Sequence, residues 1–251
     1  MRNQSKQRRE VKKRVRFARS SEVNSRKFSK ETDCAISERI WTGQASVYRF
    51  FAEASHADEM CRGEFLVSTL EKCRGYEDPR RGDKGEGELT YRMSGKGNGN
   101  EKDFVEMARR AGIDIGPNCL NISIGNAQRI SRLHDGFVVC TTVRFSPKHM
   151  TKSYGKYCVE IFNAPYFFEI VDSELKKVSL KIKGKAGLVR YADRAFYGLE
   201  DPPGEIGFIK PKDQYSDDKE FRFLWETPGE LAITPTIIHA PKLATVCRRI
   251  L

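Results

Sequence analysis

Residues 47–70 read VYRFFAEASHADEMCRGEFLVSTL, and this stretch decides the fold class. Its first five residues are apolar and aromatic apart from Arg49, which predicts a buried strand. Residues 53–62 predict a short helix that ends at Gly63, because glycine readily takes the left-handed conformation that closes a helix. Residues 64–70 are rich in Phe, Val and Thr and predict a second strand. The globular part of the chain therefore opens as strand, helix, strand.

Further along the chain, predicted strands outnumber predicted helices and do not alternate with them. Helices are expected over 101–111 and 166–175 only. This pattern predicts an α+β fold with a largely antiparallel or split β-sheet and a few flanking helices, built as a single domain over residues 40–251. The strands are expected at 89–93, 120–124, 137–145, 158–162, 178–183, 187–191, 206–210, 221–225 and either 236–239 or 243–248.

Two glycine-rich segments predict loops. Residues 75–87 hold seven charged residues, four glycines and a proline, so we expect a long mobile loop that flanks a cleft. Residues 95–100 (GKGNGN) stand between a strand and a helix, where a phosphate-binding loop would lie. They fit neither standard pattern, because the dinucleotide fingerprint needs glycine at Asn100 and the Walker pattern needs glycine at Thr90. A plain flexible loop is the favoured interpretation of the second segment, because glycine and asparagine are common turn formers.

The positive charge of the chain is concentrated at its amino-terminal end. Residues 1–30 hold twelve Lys and Arg against two Glu, a net charge of +10 out of +11 for the whole chain. We predict that residues 1–39 form a basic flexible arm and linker. The arm could hold RNA, DNA or ribosomal phosphates, be a passive extension, or be an organellar transit peptide. The candidate nucleic-acid contacts are Arg8, Arg9, Lys12, Lys13, Arg14 and Arg16.

Several classes of protein are disfavoured by composition. No apolar run approaches the roughly 18 residues that a membrane helix needs, and the first thirty residues lack the apolar core of a secretory signal. The seven cysteines form no C-x-x-C pair, and no two of the four histidines are three or four residues apart. A soluble cytoplasmic protein with reduced thiols, no metal and no membrane partner is therefore expected.

Polar side chains within the predicted strands are the candidate functional residues. Tyr48 and Arg49 lie in the first strand, Ser68 and Thr69 in the second, and Glu220 opens the strand over 221–225. A forked guanidinium can bind a pyrophosphate, and a hydroxyl can brace a ribose. A carboxylate can stabilise the positive charge that develops on a sugar when its leaving group departs. The alternatives without a functional role are that Arg49 faces solvent, that the hydroxyls are ordinary strand residues, and that Glu220 pairs with Lys219 or Arg222 on an exposed strand.

These residues carry a resemblance to the ADP-ribosyltransferase fold of the Arg–Ser–Glu type. The matching segments are 47–50 (VYRF), 66–70 (LVSTL) and 218–223 (DKEFRF), and the resemblance spans roughly 45–226. Residues 154–161 (YGKYCVEI) and 219–224 also resemble an uncharacterised bacterial and phage family found near defence genes. The resemblance implies that Tyr48, Arg49, Ser68 and Thr69 bind NAD and that Glu220 is catalytic. Leu70 stands where a second serine would complete the family's triplet. The acidic residue two positions before Glu220 is Asp218, which is also explained as part of the charged run Asp217-Asp218 and not as the paired acidic residue of enzymes that modify proteins.

The resemblance implies an NAD-dependent ADP-ribosyltransferase or NAD glycohydrolase that acts as an intracellular effector, either a toxin or a phage-defence component. Its acceptor is unassigned, and a protein acceptor or an antitoxin would be a partner. In that case Arg49 and Ser68 should lie on adjacent strands and point into one cleft, with Glu220 opposite Arg49. The alternatives are a non-catalytic nucleic-acid-binding protein that uses the basic arm and a protein-interaction or regulatory module.

Overall fold

The predicted strand, helix and strand form where the sequence indicates them. The structure, a computed structural model, describes residues 33–78, 80, 82–229 and 231–251. Gly63 ends the helix with φ of +95°, and a Cβ there would lie 2.3 Å from the backbone oxygen of Ala240. Only glycine meets both demands, because it has no Cβ. The first elements are α1 (Asp33–Trp41), β1 (Val47–Phe51), α2 (Ala54–Arg62), β2 (Glu64–Thr69) and α3 (Leu70–Arg74).

The remaining elements complete an α+β fold, as the sequence predicts. The strands are β3 (Glu88–Gly97), β4 (Ile122–Arg132), β5 (Gly136–Thr142), β6 (Tyr157–Ile161), β7 (Lys183–Leu188), β8 (Arg190–Tyr191), β9 (Ala195–Tyr197), β10 (Ile209–Lys210), β11 (Glu220–Glu226), β12 (Thr236–His239) and β13 (Cys247–Arg249). The helices are α4 (Lys102–Arg110), α5 (Pro147–Met150), α6 (Ala164–Leu175) and α7 (Lys212–Tyr215), with 3-10 turns at Ser216–Asp218 and Pro241–Thr245.

The main sheet is antiparallel and splits along one edge of β5. One edge of β5 pairs with β11 over its whole length, from Gly136 opposite Glu226 to Thr142 opposite Glu220. The other edge is shared, because β2 pairs near its start and β1 pairs at its end. From there the order runs β12-β2-β5-β1-β6-β13, and β7 lies outside β11. Strands β1 and β2 therefore separate as the two arms of a fork.

An aromatic core covers one face of this sheet. Phe221, Phe223 and Trp225 alternate along β11 and are fully buried, and the last two pack against rings of α6. Phe168 of α6 stacks on Trp225 with ring centroids 5.4 Å apart, and Trp41 packs edge-on against Phe168. Because side chains alternate across a strand, Glu220, which precedes these aromatics, and Arg222, which lies between two of them, point to the opposite face. The polar network described below therefore lies behind the aromatic core.

A second, smaller sheet has the order β4-β3-β9. Helix α4 packs on its inner face through Phe104 and Ala108, which meet Tyr91 and Met93 of β3. β3 pairs antiparallel with β4 and parallel with β9. Strands β8 and β10 form a separate parallel pair.

Two local predictions are corrected by the structure. The loop expected over 95–100 is half strand, because β3 continues to Gly97. Glycine is needed there for close approach: a Cβ on Gly97 would lie 2.6 Å from the Phe104 ring. The strand expected over 178–183 is also wrong, since residues up to 182 have no strand and β7 begins at Lys183. Leu180 is 86 % exposed, so the apolar pattern in that segment does not reflect burial.

The contacts of the chain separate residues 1–39 from the unit Ile40–Leu251. The six candidate contacts of the basic arm, Arg8 to Arg16, lie outside the described residues, so that arm stays a prediction. Within the described part of the chain, no helix is both long and apolar enough to cross a membrane.

Candidate functional site

Arg49 spans the fork between β1 and β2. Its Nη2 donates to the backbone oxygen of Leu66 in β2 at 3.2 Å. The guanidinium carbon lies 5.3 Å from the centroid of the Phe51 ring and 5.2 Å from that of Phe65, both within cation–π range. The side chain therefore reaches from the first strand to the second and is flanked by aromatic rings.

The fork contains buried polar atoms that have no partner. Among the described residues, three such side-chain atoms occur: Arg49 Nη1, Ser68 Oγ and Trp225 Nε1. Burial lowers the pKa of the Arg49 guanidinium. Arginine nonetheless stays charged in proteins. Within the part of the chain that the structure describes, the fork thus holds a cation that forms no ion pair with a carboxylate and, on β2, a hydroxyl that has no hydrogen-bond partner.

The expected adjacency of the two strands is wrong in detail. β1 and β2 do not pair with each other; each pairs with β5 instead. They approach each other only because both pair with the same edge of β5, and the Arg49 side chain then reaches across to β2. Sequence cannot show this arrangement, because it depends on a strand that lies nearly seventy residues further along the chain than Ser68.

The other two candidate NAD contacts have bonds or contacts of their own. Thr69 is the N-cap of α3, and its Oγ1 accepts a hydrogen bond from Lys72 N at 3.2 Å. Tyr48 is half-buried opposite Thr142, and its ring packs on Phe145 at 5.3 Å. Burial raises the pKa of the Tyr48 phenol, so its hydroxyl stays protonated at neutral pH. A role for either residue in NAD binding stays a prediction.

We expect Thr69→Ala to lower the free energy of unfolding by about 1 kcal/mol, because it leaves an amide of the first turn of α3 without its acceptor. Urea denaturation followed by circular dichroism measures the change. Thr69→Ser is the control, since a serine hydroxyl can make the same cap. Equal stability of the alanine variant and the wild type would show that the bond contributes nothing.

Glu220 is buried, and both of its carboxylate oxygens are bonded. Oε1 accepts from Arg222 Nε at 2.8 Å, and Oε2 lies 2.8 Å from Lys210 Nζ. Burial alone would raise the pKa of Glu220, but the two cations outweigh burial and lower it to about 2. The residue is therefore ionised at neutral pH. The alternative that Glu220 pairs with Arg222 is confirmed, but the strand that carries the pair is buried and not exposed.

The loop over 75–87 supplies the rest of this network. Glu86 is 1 % exposed, and its Oε1 accepts from Arg222 Nη1 at 2.6 Å. Lys210 Nζ lies 3.8 Å from its other oxygen. Asp83, also buried, forms a two-pronged ion pair with Arg194. Four of these residues, named the buried ion network from here on, balance two positive and two negative charges: Glu86, Lys210, Glu220 and Arg222.

The expectation of a mobile loop is therefore corrected for residues 82–87. They have no regular structure, as predicted, but Asp83 and Glu86 anchor them in the protein interior. Arg74 adds a bond from its Nε to the backbone oxygen of Glu86 at 2.8 Å. The sequence did carry one signal for the network: Glu220 and Arg222 are opposite charges two residues apart in an apolar strand, so they share a face.

The fork and the buried ion network are neighbours through Cys140. Cys140 lies on β5 opposite Arg222, and it packs with Cys73 against the apolar cluster that contains Val138 and Leu224. Its electrostatic environment includes Glu220 and Arg222, while the environment of Arg49 includes Cys140 itself. Along the strands, Glu220 and Tyr48 flank Thr142 from opposite sides, which places their Cα atoms about 10 Å apart. Because side chains alternate along β1, Arg49 points to the face opposite that of Tyr48 and Glu220, whereas Ser68, opposite Val138 of β5, points to the Glu220 face. Among the described residues, no hydrogen bond or ion pair joins Arg49, Ser68 and Glu220, so a shared cleft stays a prediction.

Comparison with known proteins identifies no relative of this chain. No family model matches the chain, and no curated protein or solved structure shows significant similarity to it. The function must therefore be inferred from the site itself.

Proposed function

We propose that the protein is an NAD-consuming enzyme of the ADP-ribosyltransferase type, acting as an intracellular toxin or defence effector, with its NAD site at the fork. The observation that carries the proposal is half-buried Arg49, whose Nη1 atom is buried without a hydrogen-bond partner and which forms no ion pair with any described carboxylate. An unpaired buried cation is costly, and an anionic ligand removes that cost. The pyrophosphate of NAD suits a forked donor.

The other groups follow from this placement. Ser68 Oγ offers an unbonded hydroxyl to a ribose of the bound NAD. The bond between the ribose C1′ and the nicotinamide nitrogen breaks, nicotinamide leaves with the electron pair, and water or an acceptor nucleophile takes its place while losing a proton. Glu220, ionised at neutral pH, is the nearest candidate for stabilising the positive charge on the sugar.

The bonds of Glu220 set a condition on this role. Lys210 and Arg222 occupy its two oxygens, and they offset its charge. A catalytic role therefore requires one oxygen to exchange its cation for the ribose when NAD is bound.

We expect Ser68→Ala and Arg49→Lys to weaken NAD binding by about tenfold each, measured by isothermal titration calorimetry. The alanine loses the ribose bond, and the ammonium of lysine cannot make two parallel bonds to a pyrophosphate. Because Ser68 Oγ has no partner in the protein, its removal should leave the melting temperature nearly unchanged. Ser68→Ala thereby separates binding from folding.

Ser173→Ala, at an exposed position of α6, is the matched control and should bind NAD as the wild type does. A second assay incubates the full-length protein with labelled NAD and a mixture of cell protein, RNA and DNA, and asks which fraction gains label. Absence of NAD binding, nicotinamide release and labelled product would overturn the proposal. Release of nicotinamide without a labelled macromolecule would identify a glycohydrolase.

A further inference from the structure

The outer face of the small sheet carries a cleft that is separate from the fork. The cleft has a volume of about 550 Å³ and is lined chiefly by Arg92, Ser94, Asn126, Gln128 and Tyr197. Its residues come from β3, β4 and the end of β9, none of which belongs to the main sheet. Helix α4 covers the opposite face of these strands. The cleft is of the size that small ligands and single nucleotides occupy.

Three exposed side chains form one row across this face. Arg92 of β3 pairs with Gln128 on β4 and with Tyr197 on β9. Neighbouring strands are about 4.8 Å apart, so a guanidinium stands between an amide and an aromatic ring. All three residues are exposed, and Tyr197 is 48 % exposed. A large aromatic ring beside a cation is thus presented to a ligand.

An irregularity in β4 adds a fourth group to the cleft. Between Met93 and Gly95, two steps along β3 face three steps along β4, from Ala127 to Ile124. The extra residue forms a bulge in which Asn126 has φ of +51°. The backbone nitrogen of Asn126 donates to Ser94 Oγ at 2.9 Å. Bulges of this kind re-aim side chains and are frequent beside functional sites.

The charge of the cleft favours an anionic ligand. None of its lining residues is acidic. Arg92 makes no side-chain hydrogen bond or ion pair with any described residue. The nearby carboxylate of Glu200 accepts a hydrogen bond from the Tyr197 backbone nitrogen at 3.0 Å. The arginine can bind a phosphate, the exposed ring can stack on the face of a base, and the two side-chain amides can hydrogen-bond to the edge of that base.

We propose that this cleft binds single-stranded nucleic acid, with one base stacked on Tyr197, its phosphate held by Arg92, and its edge bonded by Asn126 and Gln128. Duplex is excluded from this mode because its base faces are already covered by stacking. The site is independent of the proposed NAD site and of the basic residues at the amino-terminal end. A nucleic-acid target could thereby be held by the same polypeptide that carries the fork.

The test measures binding of a labelled single-stranded RNA of about ten nucleotides to the full-length protein by fluorescence anisotropy, at about 150 mM salt, where charge effects beyond about 8 Å are screened. Tyr197→Ala should weaken binding by about tenfold. Arg92→Gln should weaken it by severalfold and lower the slope of log affinity against log salt by about 0.7. Tyr166→Ala and Arg144→Gln, at exposed positions elsewhere, are matched controls that should bind as the wild type does.

Two further measurements exclude binding by the basic residues 1–30 alone. Photo-crosslinking with a thiouridine-containing RNA should attach label to the peptide that carries Tyr197. Binding of a duplex of the same sequence should be unaffected by Tyr197→Ala. The proposal is overturned if both cleft variants bind RNA as the wild type does, if crosslinks occur only within residues 1–30, or if duplex binding is equally sensitive to Tyr197→Ala.

Discussion

Arg222→Leu should lower the free energy of unfolding by about 3–5 kcal/mol, the largest effect on stability that we expect. Arg222 is fully buried and bonds to Glu220 at 2.8 Å and to Glu86 at 2.6 Å. Leucine would leave both carboxylates in the interior with Lys210 as the one remaining cation of the buried ion network. Two buried negative charges beside a single positive charge are poorly compensated, so the folded state loses much of its advantage.

The control for this prediction is a surface arginine with a similar number of partners. Arg132 lies 3.5 Å from Glu71 and 3.4 Å from Glu88, but its side chain is 48 % exposed. Arg132→Leu should cost less than about 1 kcal/mol, because exposed ion pairs are weak. Chemical denaturation of both variants gives the comparison. A loss of under 1 kcal/mol for Arg222→Leu would mean that water enters the network and screens its charges.

Glu220→Gln should reduce the turnover of NAD by about a hundredfold or more, if the proposed function is correct. Loss of one group that stabilises transition-state charge commonly has an effect of this size, about 3 kcal/mol. The same change also removes a negative charge from the buried ion network, so the variant will be less stable as well. Turnover must therefore be measured at a temperature where circular dichroism shows that the variant is folded.

Glu86→Gln distinguishes chemistry from stability. It removes the other negative charge of the same network, at a residue that the proposal does not place on the sugar. If Glu220 acts on the ribose, the folded Glu86→Gln protein should keep a much larger share of its turnover than Glu220→Gln. Equal turnover in the two folded variants would contradict a catalytic role for Glu220 and leave it a structural one.

The sequence indicates part of the environment of Glu220, and the tertiary structure supplies the rest. The sequence places it at the start of a strand and beside Arg222, and both features are present. The sequence does not reveal Lys210 and Glu86 as its other neighbours, because Glu86 is 136 residues away from Arg222. Nothing local marks Glu86 as buried, since it lies in a segment whose glycines and charges are typical of an exposed loop.

By itself, the sequence determined the α+β class, the strand, helix and strand that open the fold, and the helix end at Gly63. These features follow from interactions between residues a few positions apart, namely side-chain periodicity and the backbone freedom of glycine. The tertiary structure alone decided that β1 and β2 share one edge of β5 and that Arg49 reaches across the resulting fork with its Nη1 unpartnered among the described residues. It also decided that charges from three separate segments of the chain meet in the interior. Those outcomes depend on which remote strands pair and on which charged side chains are buried together. Neither can be read from residues that are neighbours in the sequence.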